Sequence, residues 1–122
     1  MDDNLIEAEI QAKGKTAARV TPADIEANIE SEHYFTAAQG ACSSDAVNTS
    51  DFEAGAQIDA LRLLTFCVLV LRNGFTVTGE SACASPENFD AELGRKIARQ
   101  NAVNKVWPLM GYALRTQLAT AT

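Results

Sequence analysis

Apolar and polar residues alternate cleanly in only one part of this chain. From Phe75 to Glu80, Phe75, Val77 and Gly79 take turns with Thr76, Thr78 and Glu80. That is the period of a half-buried strand. Just before it, Thr65 to Leu71 is an almost continuous apolar run, where periodicity alone leaves strand and helix open. Asn73-Gly74 lies between the two. This pair accepts positive φ at little cost and reverses strands. The pattern predicts an antiparallel hairpin over about residues 65–81, its first strand the more deeply buried. The rival is a helix from about Ile58 to Asn73 with Gly74 as its C-cap.

Helical spacing governs the rest. Asp3 to Lys13 predicts a short helix, with Leu5, Ile6 and Ile10 on one face, acids at its start and Gly14 to stop it. Thr21-Pro22-Ala23-Asp24 is a helix start with a cap, a first-position proline and a capping-box acid. With Ile25 and Ile29 one turn apart, this helix is expected to reach about Glu32, with a continuation through His33-Tyr34-Phe35 left open. Residues 39–56 are small, polar and aperiodic and predict a long loop. Asn48-Thr49-Ser50 matches a glycosylation sequon, which carries no weight without a secretion signal. Gln57 to Leu64 suits a turn or two of helix. Ser85-Pro86-Glu87-Asn88 predicts the cap of the last helix, on which Phe89, Leu93, Val103, Trp107, Met110, Leu114 and Leu118 form an apolar stripe. A second stripe of Ala91, Gly94, Ala98 and Ala102 invites a close neighbour, in the same chain or another. Pro108 should break the helix and start a second one to about Leu118. The expected fold class is α+β: N-terminal helices, one hairpin, and a long C-terminal helix broken near Pro108. An arm over residues 1–19 would precede a single domain over 20–119.

Composition narrows the classes. The chain has 122 residues, 47 % of them hydrophobic, with a net charge of −6. That suits one modest core. No apolar run reaches the roughly 20 residues of a membrane span, and the acidic N-terminus lacks the apolar segment of a secretory signal. The charge is uneven. Residues 1–60 hold twelve acids and three bases, a balance of −9, whereas residues 85–122 hold three acids and five bases, a balance of +2. A general nucleic-acid binder needs a broad basic face, so nucleic acid is not an expected partner.

The runs SEHYFTAA and LTFCVLVLRNGFTVTGESACASPENFDAELGRKIARQNAVNKVWPLMGYAL resemble a family of small tailed-phage and prophage proteins. It is named for gene product forty-nine of phage N-four and gene product sixty-six of phage Sf-six. The resemblance spans about residues 20–119. It implies a viral gene expressed in a bacterial host cytoplasm, and it supplies no catalytic residues. Proteins of this size and origin are often host-takeover or counter-defence factors, which is an association.

The chemistry read from the residues is sparse. His33 is the sole histidine, and Cys42, Cys67 and Cys83 lack ligand spacing, so neither metal nor cofactor is expected. Their odd number suits reduced thiols. Nucleophilic catalysis would draw on Cys83 or Ser81 with His33, but GESACAS is not a nucleophile elbow. A small enzyme acting on nucleotides is therefore the third reading. The second is a factor that docks on a host protein through its acidic N-terminal half and inhibits it. The first is a non-catalytic homo-oligomer that sequesters a small anionic ligand, such as a signalling nucleotide, between subunits. Ser81, Ser85 and Asn88 would lie at a helix start, with Arg95 and Arg99 on phosphate oxygens. The competing account pairs both arginines with Glu92 or with acids of the N-terminal half.

Overall fold

The computed structural model describes residues 2–15, 17–49 and 56–121, and within the helix that opens at Ala56 it describes that residue's backbone only. Helix α1 (Asp3–Ala12) leads into α2 (Pro22–Ala27), strand β1 (Ile29–Thr36) and the short helices α3 (Ala37–Ala41) and α4 (Ala56–Leu61). Strands β2 (Leu64–Leu71) and β3 (Thr76–Ala82) follow, then a single 3-10 turn (Pro86–Asn88) and helix α5 (Ala91–Thr120). The sheet is an antiparallel meander in the order β1-β2-β3. The class is α+β, as the sequence predicts.

The hairpin forms where Asn73-Gly74 places it. Gly74 takes φ +88°, a conformation open to glycine at little cost, and its N–H donates to Leu71 O at 2.9 Å. In β2 burial alternates residue by residue, with Thr65, Cys67, Leu69 and Leu71 on the buried side. That side, with Val77 and Gly79 of β3, faces α5. Phe66, Val68 and Val70 share the other face with Ser31, His33 and Phe35. There the Phe35 and Phe66 rings lie 5.7 Å apart.

Helix α5 crosses the buried face on its small-residue stripe. A Cβ on Gly79 would lie 2.2 Å from Ala98 O and 2.3 Å from Ala102 N. The helix backbone therefore rests directly on β3, and the stripe is an intrachain seam. Ala98, Ala102 and Val106 are fully buried there, with Ile25, Leu69 and Cys67.

Three local expectations are corrected. The helix begun at Pro22 stops at Ala27, and residues 29–36 form β1. Pairing with β2 supplies the ladder, so Ile29 opens a strand and is not the next turn of a helix. Ser85 makes no side-chain cap bond. Asp90 is the cap of α5, accepting from Leu93 N at 3.1 Å, because Phe89 is extended and separates the 3-10 turn from the helix. Helix α5 also runs unbroken through Pro108. Proline withholds one backbone donor, but Val106 is fully buried before it and Met110 packs on the core after it, and this packing holds the chain helical. Of the predicted loop over 39–56, residues 39–41 belong to α3 and Ala56 to α4, and residues 50–55 lie outside the described residues, as does Ser50 of the sequon.

Candidate binding surface

The residues expected to form an anion site do not converge. Ser81 and Asn88 line a cavity of about 150 Å³ together with Asp90, Cys83 and Leu93. Arg95 lines a different one of about 140 Å³ with Tyr34, Phe35, Gln39 and Thr65. Thr65 borders both. Ser85 lines neither, and its carbonyl accepts the Cys83 thiol at 3.1 Å. Each space falls below the roughly 300 Å³ at which small-molecule pockets begin. Asp90 further places a carboxylate where an anion would enter.

Arg99 is committed elsewhere. Its guanidinium forks onto Glu26, with Nη2 to Oε2 at 2.7 Å and Nη1 to Oε1 at 3.1 Å. Its Nε also donates to Glu32 at 3.2 and 3.3 Å. This cation ties α5 to α2 and β1. The Tyr34 hydroxyl donates to the same Glu32 at 2.7 Å. The donors leave their mark on proton affinity. The Tyr34 hydroxyl and then Arg99 hold the Glu32 carboxyl below the ordinary range. Burial and that carboxylate push the Tyr34 hydroxyl up. Burial pushes the Cys67 thiol up. The Glu26 fork holds Arg99 more firmly protonated than a free guanidinium.

The same design repeats along the acidic half. Arg72 donates to Glu30 and through Nε to Ala27 O at 2.9 Å. Arg19 forks onto Glu7 at 2.5 and 2.6 Å. Lys13 meets Glu9 at 3.1 Å. Four cations are thus spoken for on a surface that also carries Asp2, Asp3 and Asp24, so the surface remains negative. A cavity of about 710 Å³ opens here, between Asp2, Asp3, Glu26, Arg99, Gln100 and Trp107. The Trp107 indole N–H donates to Asp3 Oδ2 at 3.2 Å.

The groups of the enzyme reading stay apart. His33 sits on the face of the sheet turned away from α5, with Nε2 3.0 Å from Ser31 Oγ. Ser81 pairs with Thr65 on the opposite face. Among the described residues no three His, Cys, Asp or Glu side chains gather as a metal set, and no helix is long and apolar enough to cross a membrane.

The sequence marks Trp107 only as a member of the apolar stripe of the last helix, and it singles out none of Glu7, Arg19 and Glu32 as a site residue. The run Asp3, Ile6, Glu7, Ile10 was the available signal for the arm contact. Glu32 carried none, because it lay in a segment read as helix.

The sequence model of the phage protein (N4 Gp49/phage Sf6 gene 66) family matches residues 20–118. No curated protein and no solved structure matches the chain.

Proposed function

We propose a non-catalytic binding role for this chain, which belongs to the N4 Gp49/phage Sf6 gene 66 family of phage proteins: it docks on a basic surface of a host protein through its acidic N-terminal half. One observation carries this reading. The arginines that reach this half are each held by a carboxylate, Arg99 by Glu26 and Glu32, Arg72 by Glu30 and Arg19 by Glu7. A face whose arginines are neutralised in place, with acids in excess, repels anions and steers toward positive partners. The setting that follows is the host cytoplasm, where the docked protein would be inhibited.

The test replaces Glu26, Glu30 and Glu32 together by glutamine. The amides keep hydrogen-bond acceptors for Arg99 and Arg72 and remove three charges. Wild type should retain one stoichiometric host protein, released as salt is raised, and the triple variant should lose it. Retention by the variant at unchanged salt dependence refutes the reading.

A second reading keeps one observation of its own. Arg95 is exposed and makes no side-chain hydrogen bond or ion pair among the described residues, so it is free for a phosphate oxygen. Because its cavity is small, a nucleotide would need a second subunit to complete the wall near Ser81, Ser85 and Asn88. A rise in melting temperature with cyclic or ADP-ribose nucleotides that Arg95→Ala abolishes would favour this sponge over docking.

A further inference from the structure

Helix α1 buries none of its residues, yet Asp3, Ile6, Glu7 and Ile10 meet the body along one line. Their spacing is i, i+3, i+4, i+7, the pattern with which an amphipathic helix lies in a groove. The groove wall is Val20, Pro22 and Trp107, around an apolar space of about 230 Å³. Its polar ends are donors. The Trp107 indole N–H reaches Asp3 at 3.2 Å, and Arg19 forks onto Glu7. Asp3, Pro22 and Trp107 also line the 710 Å³ cavity, so the first turn of α1 divides one continuous trough.

We infer that α1 is a displaceable internal ligand, and that the trough beneath it receives an amphipathic helix of a partner protein. That helix would carry a carboxylate, an apolar residue, a second carboxylate and a second apolar residue at the spacings of Asp3, Ile6, Glu7 and Ile10. Charge complementarity sets this chemistry. When the arm leaves, the groups that lose partners are an indole N–H and a guanidinium, while Arg99 stays on Glu26 and Glu32. Donors flanking an apolar wall select acids flanking apolar side chains. The arm is built to leave: Leu5 is 71 % exposed, and residues 13–21, with Gly14 at φ +69°, span up to about 30 Å when extended. A short tether holds the arm at an effective concentration of order millimolar, so the arm sets the threshold a partner helix must exceed. Glu26 borders the 710 Å³ end of the trough, but Glu26, Glu30 and Glu32 are absent from the groove under Ile6 and Ile10, and either assignment can fail while the other stands.

Trp107 is the sole tryptophan and reports the trough directly. The full chain carrying Ile6→Asp, Glu7→Lys and Ile10→Asp should release the arm and shift Trp107 emission to the red. A synthetic peptide of residues 2–15 should then bind saturably and restore the wild-type emission. It should bind wild type at least tenfold more weakly, and a peptide with Asp3→Ala and Glu7→Ala should lose at least tenfold on the arm-released chain. No saturable change, equal affinity for both chains, or indifference to the lost acids overturns the assignment. Doubling of the wild-type mass through exchanged arms would also overturn it, by making a second copy the occupant. Hydrogen exchange on the unmodified chain is a second check. Amides of α1 should exchange at least a hundredfold faster than those of β2, and equal protection would mean that the arm does not leave.

Discussion

Two helices lie on the body of this protein, and they are attached in opposite ways. Helix α5 presses its backbone onto β3 at Gly79 with no side chain between, and the seam there is lined by small apolar residues. Helix α1 touches through four side chains, two of them acids, and none of its residues is buried. Close apolar packing admits no slack and fixes one geometry. The arm's polar contacts, Arg19 on Glu7 and the Trp107 indole on Asp3, lie at the surface, where such contacts can be exchanged. The fold is therefore anchored by the small residues of α5, and the proposed role of the arm in recognition draws on the looser of the two attachments.

The largest effect should come from the seam. In Gly79→Ala the new methyl meets helix backbone at 2.2 and 2.3 Å, which no rotamer change relieves. We expect a loss of about 3 kcal/mol or more in chemical denaturation. A loss under about 1 kcal/mol would mean that α5 can lift off the sheet, and the contrast with α1 would collapse. Arg99→Met comes next. It leaves Glu26 and Glu32 without their shared cation while Tyr34 still donates to Glu32. The pairs are partly exposed, so about 1–2 kcal/mol is expected. Under the proposed docking the variant keeps its host partner, because the face becomes more negative.

Gly111→Ala should act in the opposite direction. Beyond the seam a Cβ at Gly111 meets nothing within 4 Å, and alanine gains about 0.8–1 kcal/mol over glycine inside a helix. A higher denaturation midpoint is expected. Two glycines on one helix-and-strand unit, one forbidding a methyl and one rewarding it, would mark where the seam ends.

How much of this was legible follows from where the information sits. The hairpin could be read because Asn73-Gly74 and the alternation after it are local. The strand β1 could not. Its inward residues Glu32 and Tyr34 are polar and satisfied by one another and by Arg99, so no apolar alternation marks the segment, and Ile25 and Ile29 imitate a helical face. The helix cap was misplaced because Ser85-Pro86 and Asp90 both carry start signals, and only the extended Phe89 separates them. A second capping box, Thr36 with Gln39, was written locally and went unread. The candidate site was least legible. Arg99 meets partners 73 and 67 positions away, so local sequence could favour pairing with acids of the N-terminal half over a phosphate clamp but could not name Glu26 and Glu32 as the partners. The small stripe on α5 signalled close packing correctly, and Gly79 identifies its partner.

The smallest effect on overall stability belongs to the arm, and it is read best through pH. Two hydrogen bonds from Arg19, helped by Gln11, lower the Glu7 carboxyl from 4.5 to about 2. A carboxyl depressed by docking contributes to docking fully above its free value and loses that contribution as pH falls through the docked value. The window is therefore about pH 4.5 down to about 2, with docking unaffected from pH 7 to 5. Asp3 and Asp24 also face this corner, so the measurement is a difference. Trp107 emission is followed against pH in wild type and in Glu7→Gln. Wild type should change within that window, while Glu7→Gln, which keeps an acceptor but no charge, should show a reduced amplitude there and a partly released arm already at pH 7. Identical titrations would move the latch from Glu7 to Asp3 at the indole. Denaturation midpoints of the two chains at pH 7 should agree closely, because the sheet and α5 fold without help from the arm.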